Sequence, residues 1–255
     1  MRKLIVPALA AGALFVPTVA HADETYVGVS GGIVLPSNSN NSGEFDAAVA
    51  ATADFDEIPA GTPVGWTTEF DTGYTISGQI GRAFDSGLRV ELEVAYSDYG
   101  VDTHRGLTVG GTDIDGVDVA VLTRGAADAA NPTVGDVIAD GQGSVSNIGV
   151  FANVLYDLNK GGGIEPYVGV GLGYQDTSVD FSPSGVDVGD DNDGGFAWQG
   201  IVGASYGFSE AIDGFLQYNY RANFKDADIP LNLLPATLSV ESEQSLITAG
   251  IRVGF

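Results

Sequence analysis

The segment Gln244–Phe255 constrains the fold most. Ile247, Ala249, Ile251, Val253 and Phe255 are apolar, while Thr248, Gly250, Arg252 and Gly254 between them are small or polar. A period of two describes a β-strand with one greasy face and one polar face. A strand of this kind at a chain end must find partners for its edges, and a closed barrel supplies two.

Seven further segments repeat the pattern: Thr25–Leu35, Tyr74–Phe84, Gly87–Ser97, Ser144–Asp157, Ile164–Asp176, Gly195–Phe208 and Ile212–Ala222, with the last strand taken as Glu241–Phe255. Their connections alternate. Long stretches (Pro36–Gly73, Asp98–Gly143, the acidic Thr177–Gly194 and Asn223–Val240) are separated by short turns at Asp85-Ser86, Leu158–Gly163 and Ser209–Ala211. In an up-and-down barrel, alternate connections fall at opposite ends, and outer-membrane barrels keep short turns inside and long loops outside.

The third segment has Leu88, Val90, Leu92, Val94 and Tyr96 on one face, and Arg89, Glu91, Glu93, Ala95 and Ser97 on the other. A soluble barrel would turn the greasy face inward, and a membrane barrel would turn it outward. The polar faces favour the second arrangement. Gly28, Gly169, Gly171, Gly203 and Gly250 lie on them, and a narrow lumen accepts small residues that a watery strand surface would not select. Aromatic residues sit at both ends of the greasy faces: Tyr74, Tyr96, Tyr174 and Trp198 toward the long loops, Tyr156, Tyr206, Phe208 and Phe255 toward the turns. Two such girdles flanking an aliphatic band mark a spanning barrel. The expected fold is all-β, an eight-stranded antiparallel up-and-down transmembrane β-barrel.

Address and charge agree with this. Met1-Arg2-Lys3, the apolar run Leu4–Val16 and the exit Ala20-His21-Ala22 read as a secretory signal peptide over residues 1–22, leaving a barrel domain over 23–255. Removing Arg2 and Lys3 takes the bases from 10 to 8 against 34 acids, a formal charge of −26. That surface repels nucleic acid. No cysteine is present to staple the exported chain.

The segments Asn153–Asp157 (NVLYD), Pro166–Gly171 (PYVGVG), Phe196–Gly200 (FAWQG) and Tyr218–Arg221 (YNYR), with the terminal Phe255, carry a resemblance. The chain resembles the eight-stranded outer-membrane barrels, which include the membrane domain of outer-membrane protein A and the opacity-type surface antigens. The resemblance implies location in the cell outer membrane, surrounded by lipid and lipopolysaccharide. It also implies a monomer delivered by a barrel-assembly machinery that reads the strand ending in Phe255. No peptidoglycan-binding domain is expected after Phe255, so cell-wall anchoring is not carried over.

Catalysis finds little support. The histidine left after signal cleavage is His104, with Asp98, Asp102 and Arg105 nearby and no nucleophile motif. It reads as a solvated loop residue. Asp187, Asp190, Asp191 and Asp193 in one long connection, and Asp113, Asp115 and Asp118 in another, are candidate ligands for divalent cations. Neither run has the spacing of a calcium-binding loop, and both read first as solvated acidic loops. No cofactor, metal or catalytic residue is assigned. Arg89, Glu91, Glu93, Glu165, Asp213, Arg221 and Arg252 all fall on polar faces. Such charges need partners across the interior. Arg89 and Arg252 are expected to face Glu165 and Asp213. Paired, the lumen charges would plug the barrel; separated by water, they would line a pore. The expected function is that of a non-enzymatic surface protein with a structural or interaction role and long acidic loops. The alternative is a narrow porin-like channel for small solutes.

Overall fold

The computed structural model describes residues 24–159 and 163–255. The signal-peptide reading, and Lys160-Gly161 of one short turn, lie outside them. In chain order the strands are β1 (Glu24–Pro36), β2 (Ser39–Phe45), β3 (Pro63–Phe70), β4 (Gly73–Ala83), β5 (Leu88–Val109), β6 (Thr112–Asp113), β7 (Gly143–Asp157), β8 (Ile164–Phe181), β9 (Gly189–Gly207), β10 (Ile212–Asn223), β11 (Ala227–Pro230), β12 (Ala236–Val240) and β13 (Glu243–Gly254). Two short helices, α1 (Ala120–Thr123) and α2 (Val134–Ile138), lie between β6 and β7.

Eight strands close a ring in the order β1, β4, β5, β7, β8, β9, β10, β13, every neighbour antiparallel. The ring shuts where β13 returns to β1, from Tyr26↔Gly254 to Pro36↔Gln244. Every ring strand therefore has both edges paired, as a bilayer requires. The turn between β4 and β5 is tight. Gly87, at φ +89°, donates its N–H to Phe84 O at 3.0 Å, and Phe84 N–H donates to Leu88 O at 2.9 Å. A side chain at Gly87 would strain that turn.

The outward face is an apolar belt, with Arg82 on it beside Phe84 near the short-turn end. Val170, Leu172 and Leu216 are 66%, 64% and 60% exposed, an arrangement that only lipid satisfies. Aromatic pairs rim it, with Tyr174 against Phe196 at 5.8 Å and Trp198 against Tyr220 at 5.5 Å on one level, and Tyr206 against Phe208 at 5.4 Å on the other.

Above the upper rim the two faces exchange character. In β8 the inward residues run Gly169, Gly171, Gly173, Gln175, Thr177 and then Val179 and Phe181, while the outward ones run Val170, Leu172, Tyr174 and then Asp176, Ser178 and Asp180. β5 does the same: Glu91, Glu93 and Ser97 give way inward to Tyr99 and Val101, and Val94 and Tyr96 give way outward to Asp98. A spanning strand needs about 9–11 residues, so much of the 22-residue β5 stands clear of the membrane. There it pairs with β3, and β3, β2, β12 and β11 continue the sheet in that order.

The result is a cap with an ordinary apolar core that includes Phe45, Phe181, Ile229 and Leu238, all buried. This corrects the acidic loop expected at Thr177–Gly194. β8 and β9 stay paired out to Phe181↔Gly189, and only the short link around Pro183–Gly185 remains a loop. Likewise, part of the connection Asp98–Gly143 is the upper half of β5.

Candidate functional site

The interior of the ring is the candidate site, because a conducting barrel needs an open path there. The lumen glycines fix its cross-section. A Cβ on Gly203 would collide with the Tyr167 ring, and one on Gly250 with Phe215 and the Val29 carbonyl. Large side chains from facing strands thus lie flat across the space.

Near the short turns, Tyr167 is fully buried between two guanidinium groups, Arg89 at 4.4 Å and Arg252 at 5.2 Å from its ring centre. Arg252 also lies 4.3 Å from the Phe215 ring and donates from Nη2 to Tyr167 Oη at 3.1 Å. Arg89 Nη2 is 3.0 Å from Asp157 Oδ1, and Tyr26 Oη donates to Glu91 Oε1 at 2.5 Å. The expected grouping of Arg89 and Arg252 near Asp213 holds at longer range, since Asp213 lies within electrostatic reach of both guanidinium groups and of Glu165. The direct contacts differ: Arg89 takes Asp157, the last residue of β7, and Arg252, the register neighbour of Asp213, lies against aromatic faces. Buried guanidinium groups are stabilised by ring quadrupoles when desolvated, by about 2 kcal/mol. That interaction was not legible from charge pairing alone.

The middle layer is built around Glu93. Its Oε2 accepts from Asn153 Nδ2 and Gln199 Nε2, both at 2.8 Å, and its Oε1 is 3.2 Å from Arg221 Nη2. Arg221 donates onward to Gln199 Oε1 at 2.8 Å and stacks over Phe151 at 4.2 Å. Asn219 donates to Gln199 Oε1 at 3.2 Å, Gln217 to Asn219 Oδ1 at 2.7 Å, and Tyr167 to Gln217 Oε1 at 2.9 Å. One hydrogen-bonded chain therefore crosses the lumen from Arg252 to Glu93. A third layer, in which Gln175 and Thr177 both donate to Asn147 Oδ1, leads up to the cap core.

The loop candidates behave differently from expectation. His104 is 3% exposed, not solvated. It packs edge-on against Phe181 at 4.9 Å, and Thr68 Oγ1 lies 2.8 Å from its Nδ1. Burial pushes its imidazole down to about 4, against the opposing pull of Asp140. Its neighbours Asp98, Asp102 and Arg105 do not form a triad with it: Arg105 pairs with Glu69, and Asp98 accepts from Tyr96. Thr68 is fully buried and accepts from Asn41 Nδ2 at 2.7 Å and Trp66 Nε1 at 3.2 Å, so its oxygen is not available as a nucleophile.

The acidic residues serve largely as backbone acceptors. Asp115 takes the N–H groups of Gly106 and Leu107, both at 2.8 Å. Asp118 takes those of Ala120 and Asp128, which hold its carboxyl below the usual range. Asp193 accepts from Gly194 and Asp228, and Asp187 from Asn232. Among the described residues no cluster of three or more acidic, histidine or cysteine side chains is placed to hold a metal ion.

Comparison with known proteins agrees with this architecture. An outer membrane protein of Gluconacetobacter diazotrophicus is 30% identical over 191 residues, covering 71% of this chain and 41% of the relative. The chain thus spans about two fifths of that relative's length. Among solved structures, the outer membrane protein OprG of Pseudomonas aeruginosa superposes with a TM-score of 0.54 at 14% identity, covering 92% of this chain and 97% of that one. Neisserial surface protein A aligns over 91% and 97% at 16% identity, with a TM-score of 0.43. A family described as surface antigen matches residues 49–253. With its closed eight-strand ring and apolar belt, this chain belongs to the surface antigen family of outer-membrane β-barrel proteins.

Proposed function

We propose that the protein is a non-conducting display barrel, whose membrane ring holds the capped long connections at the outer surface as an interaction platform. The carrying observation is the lumen: Glu93, Asn153, Gln199 and Arg221 are each hydrogen-bonded across it and buried. A buried network of this kind rigidifies the middle layer and supports a closed lumen there, while nearer the short turns Gln79 Oε1, Arg89 Nε and Arg252 Nε are buried without a hydrogen-bond partner among the described residues. The long-connection end faces outward in this reading, following the short-inside, long-outside rule, and the acidic residues of the cap give that surface its charge. The barrel acts as a monomer in lipid and lipopolysaccharide, with Phe255 presented to the assembly machinery. No catalytic step is assigned to it.

Planar-bilayer recording tests this reading. The native protein is expected to give no unitary conductance steps, whereas Glu93→Ala combined with Arg221→Ala, which empties the middle layer, should give small ones. Ohmic steps from the native protein would instead establish the narrow channel.

A further inference from the structure

The wall of the cap has a seam, where two strands lie side by side without a ladder. Among the described strands, β11 pairs with β12 alone, and its other edge runs along upper β9. The two are tied at both ends of the seam. Phe224 N–H donates to Phe196 O at 2.9 Å, and Asn232 N–H to Val188 O at 2.8 Å. Both acceptors are even-numbered, so the backbone groups of Asp190, Asn192 and Gly194 also face β11. Residues 189–195 lie between the ties, about 23 Å of strand edge.

Carboxylates occupy this edge. Asp193 bridges the seam, accepting from Gly194 N–H through Oδ1 at 2.8 Å and from Asp228 N–H through Oδ2 at 3.2 Å. Asp191 Oδ1 accepts from Asn192 N–H at 2.8 Å. In a continuous sheet these three N–H groups would donate to strand carbonyls. Water also reaches the seam. By alternation Asp191 belongs to the inward face, where its ladder partner Val179 is buried, yet Asp191 is exposed. Asp190 and Asp228 are exposed on the outward face, and Lys225, paired with Asp228, offsets part of the charge.

We propose that the seam docks an extended, basic peptide segment of a partner protein, added as a strand between upper β9 and β11. Peptide carbonyls on one edge take the N–H groups of Asn192 and Gly194, and one on the other edge takes that of Asp228. The released Asp191 and Asp193 carboxylates then pair with lysine or arginine side chains of the peptide. Strand addition supplies main-chain hydrogen bonds along an open edge, and the local charge selects a cation. To admit the strand, β11 moves away from β9 and the Asn232 tie breaks, while the Phe224 tie at the membrane end stays. The inference rests on the display reading, which turns the seam to the outside.

The probe is the blocked heptapeptide TKVKVKT, titrated into the full-length protein in nanodiscs of zwitterionic lipid. The readout is the set of backbone amide signals and their hydrogen exchange. Asn192, Gly194 and Asp228 are expected to shift saturably and to exchange at least tenfold more slowly, while Asn232, released from Val188, exchanges faster. N-methylation of alternate peptide residues keeps the charge and blocks ladder bonds, and should weaken binding by at least tenfold. The acidic peptide TEVEVET should not bind. An N-methylated peptide as tight as its parent would reduce the effect to charge attraction, and unchanged exchange at the three amides would leave the carboxylates as guards of the edge; either result would overturn the proposal. Nanodiscs leave both ends of the barrel reachable, so a negative result strikes the seam alone, and the bilayer recording tests the display reading separately.

Discussion

Replacing Arg221 with alanine tests whether the lumen is dry. The guanidinium is buried, lies 3.2 Å from Glu93 Oε1, donates twice to Gln199 Oε1 and stacks 4.2 Å above Phe151. Its removal takes the cation away from the buried Glu93 carboxyl and leaves only the Asn153 and Gln199 amides on it. Breaking a buried pair by removing one member costs about 3–5 kcal/mol, much of it from the stranded charge. Exposed pairs are worth about 0–1 kcal/mol. Unfolding by urea in lipid vesicles, followed by tryptophan fluorescence, separates these cases. At roughly 2 kcal/mol per molar, the dry lumen predicts a midpoint lowered by about 1.5–2.5 M. Adding Glu93→Gln to Arg221→Met should recover most of the loss, because the stranded charge is gone and the volume over Phe151 is retained. A midpoint moved by less than about 0.5 M for Arg221→Ala would mean that water screens Glu93, and the plugged lumen would have to be abandoned.

Two further outcomes are expected. Leu172→Arg places a charge in the lipid belt and should destabilise the barrel by about 2–4 kcal/mol, whereas Ser178→Arg, on the same outward face above the rim, should change stability by less than about 0.5 kcal/mol; equal effects in urea titration would misplace the membrane boundary. His104 is neutral in the folded cap, its pKa depressed from 6.5 to about 4, so the unfolded cap binds the proton more readily. Cap stability should be full above pH 6.5 and fall as pH drops from there toward 4, by up to roughly 3 kcal/mol. Hydrogen exchange of cap amides should show this slope in the native protein and not in His104→Phe, and an identical slope in both would assign it to another group.

The ring was legible because a bilayer leaves one solution for the backbone, and the residues then alternate strictly. Strand ends in the lower half, such as Asp157 and Ile164, were read correctly from sequence. The cap was not legible, because above Tyr96 and Tyr174 the hydrophobic signal moves to the other face and thins. Asp190-Asp191-Asn192-Asp193 looks like a loop when read for greasy alternation, although it is paired strand. The burial of His104 followed from β3 and upper β5 pairing across a bulge, a long-range event with no local mark. In the lumen, position identified the inward charges correctly, but their partners depended on depth and on aromatic neighbours. Arg252 shows this: its register neighbour is Asp213, yet Phe215 and Tyr167 hold its guanidinium.

The exchange of faces along β5 and β8 has a consequence for the chain before it reaches the bilayer. In water, the lower half of each long strand needs its outer side covered and the upper half its inner side. A pleated strand cannot present both to one aqueous core without rotating midway, and a slip of one residue only interchanges the conflict. The unassembled polypeptide therefore has no competing water-soluble barrel to fall into, and its landscape in water is frustrated. Insertion resolves the conflict by giving the two halves different solvents. It also sets the barrel's height, since sinking by two residues would draw Asp98 and Asp176 into hydrocarbon, while rising by two would lift Tyr96 and Tyr174 out of the interface.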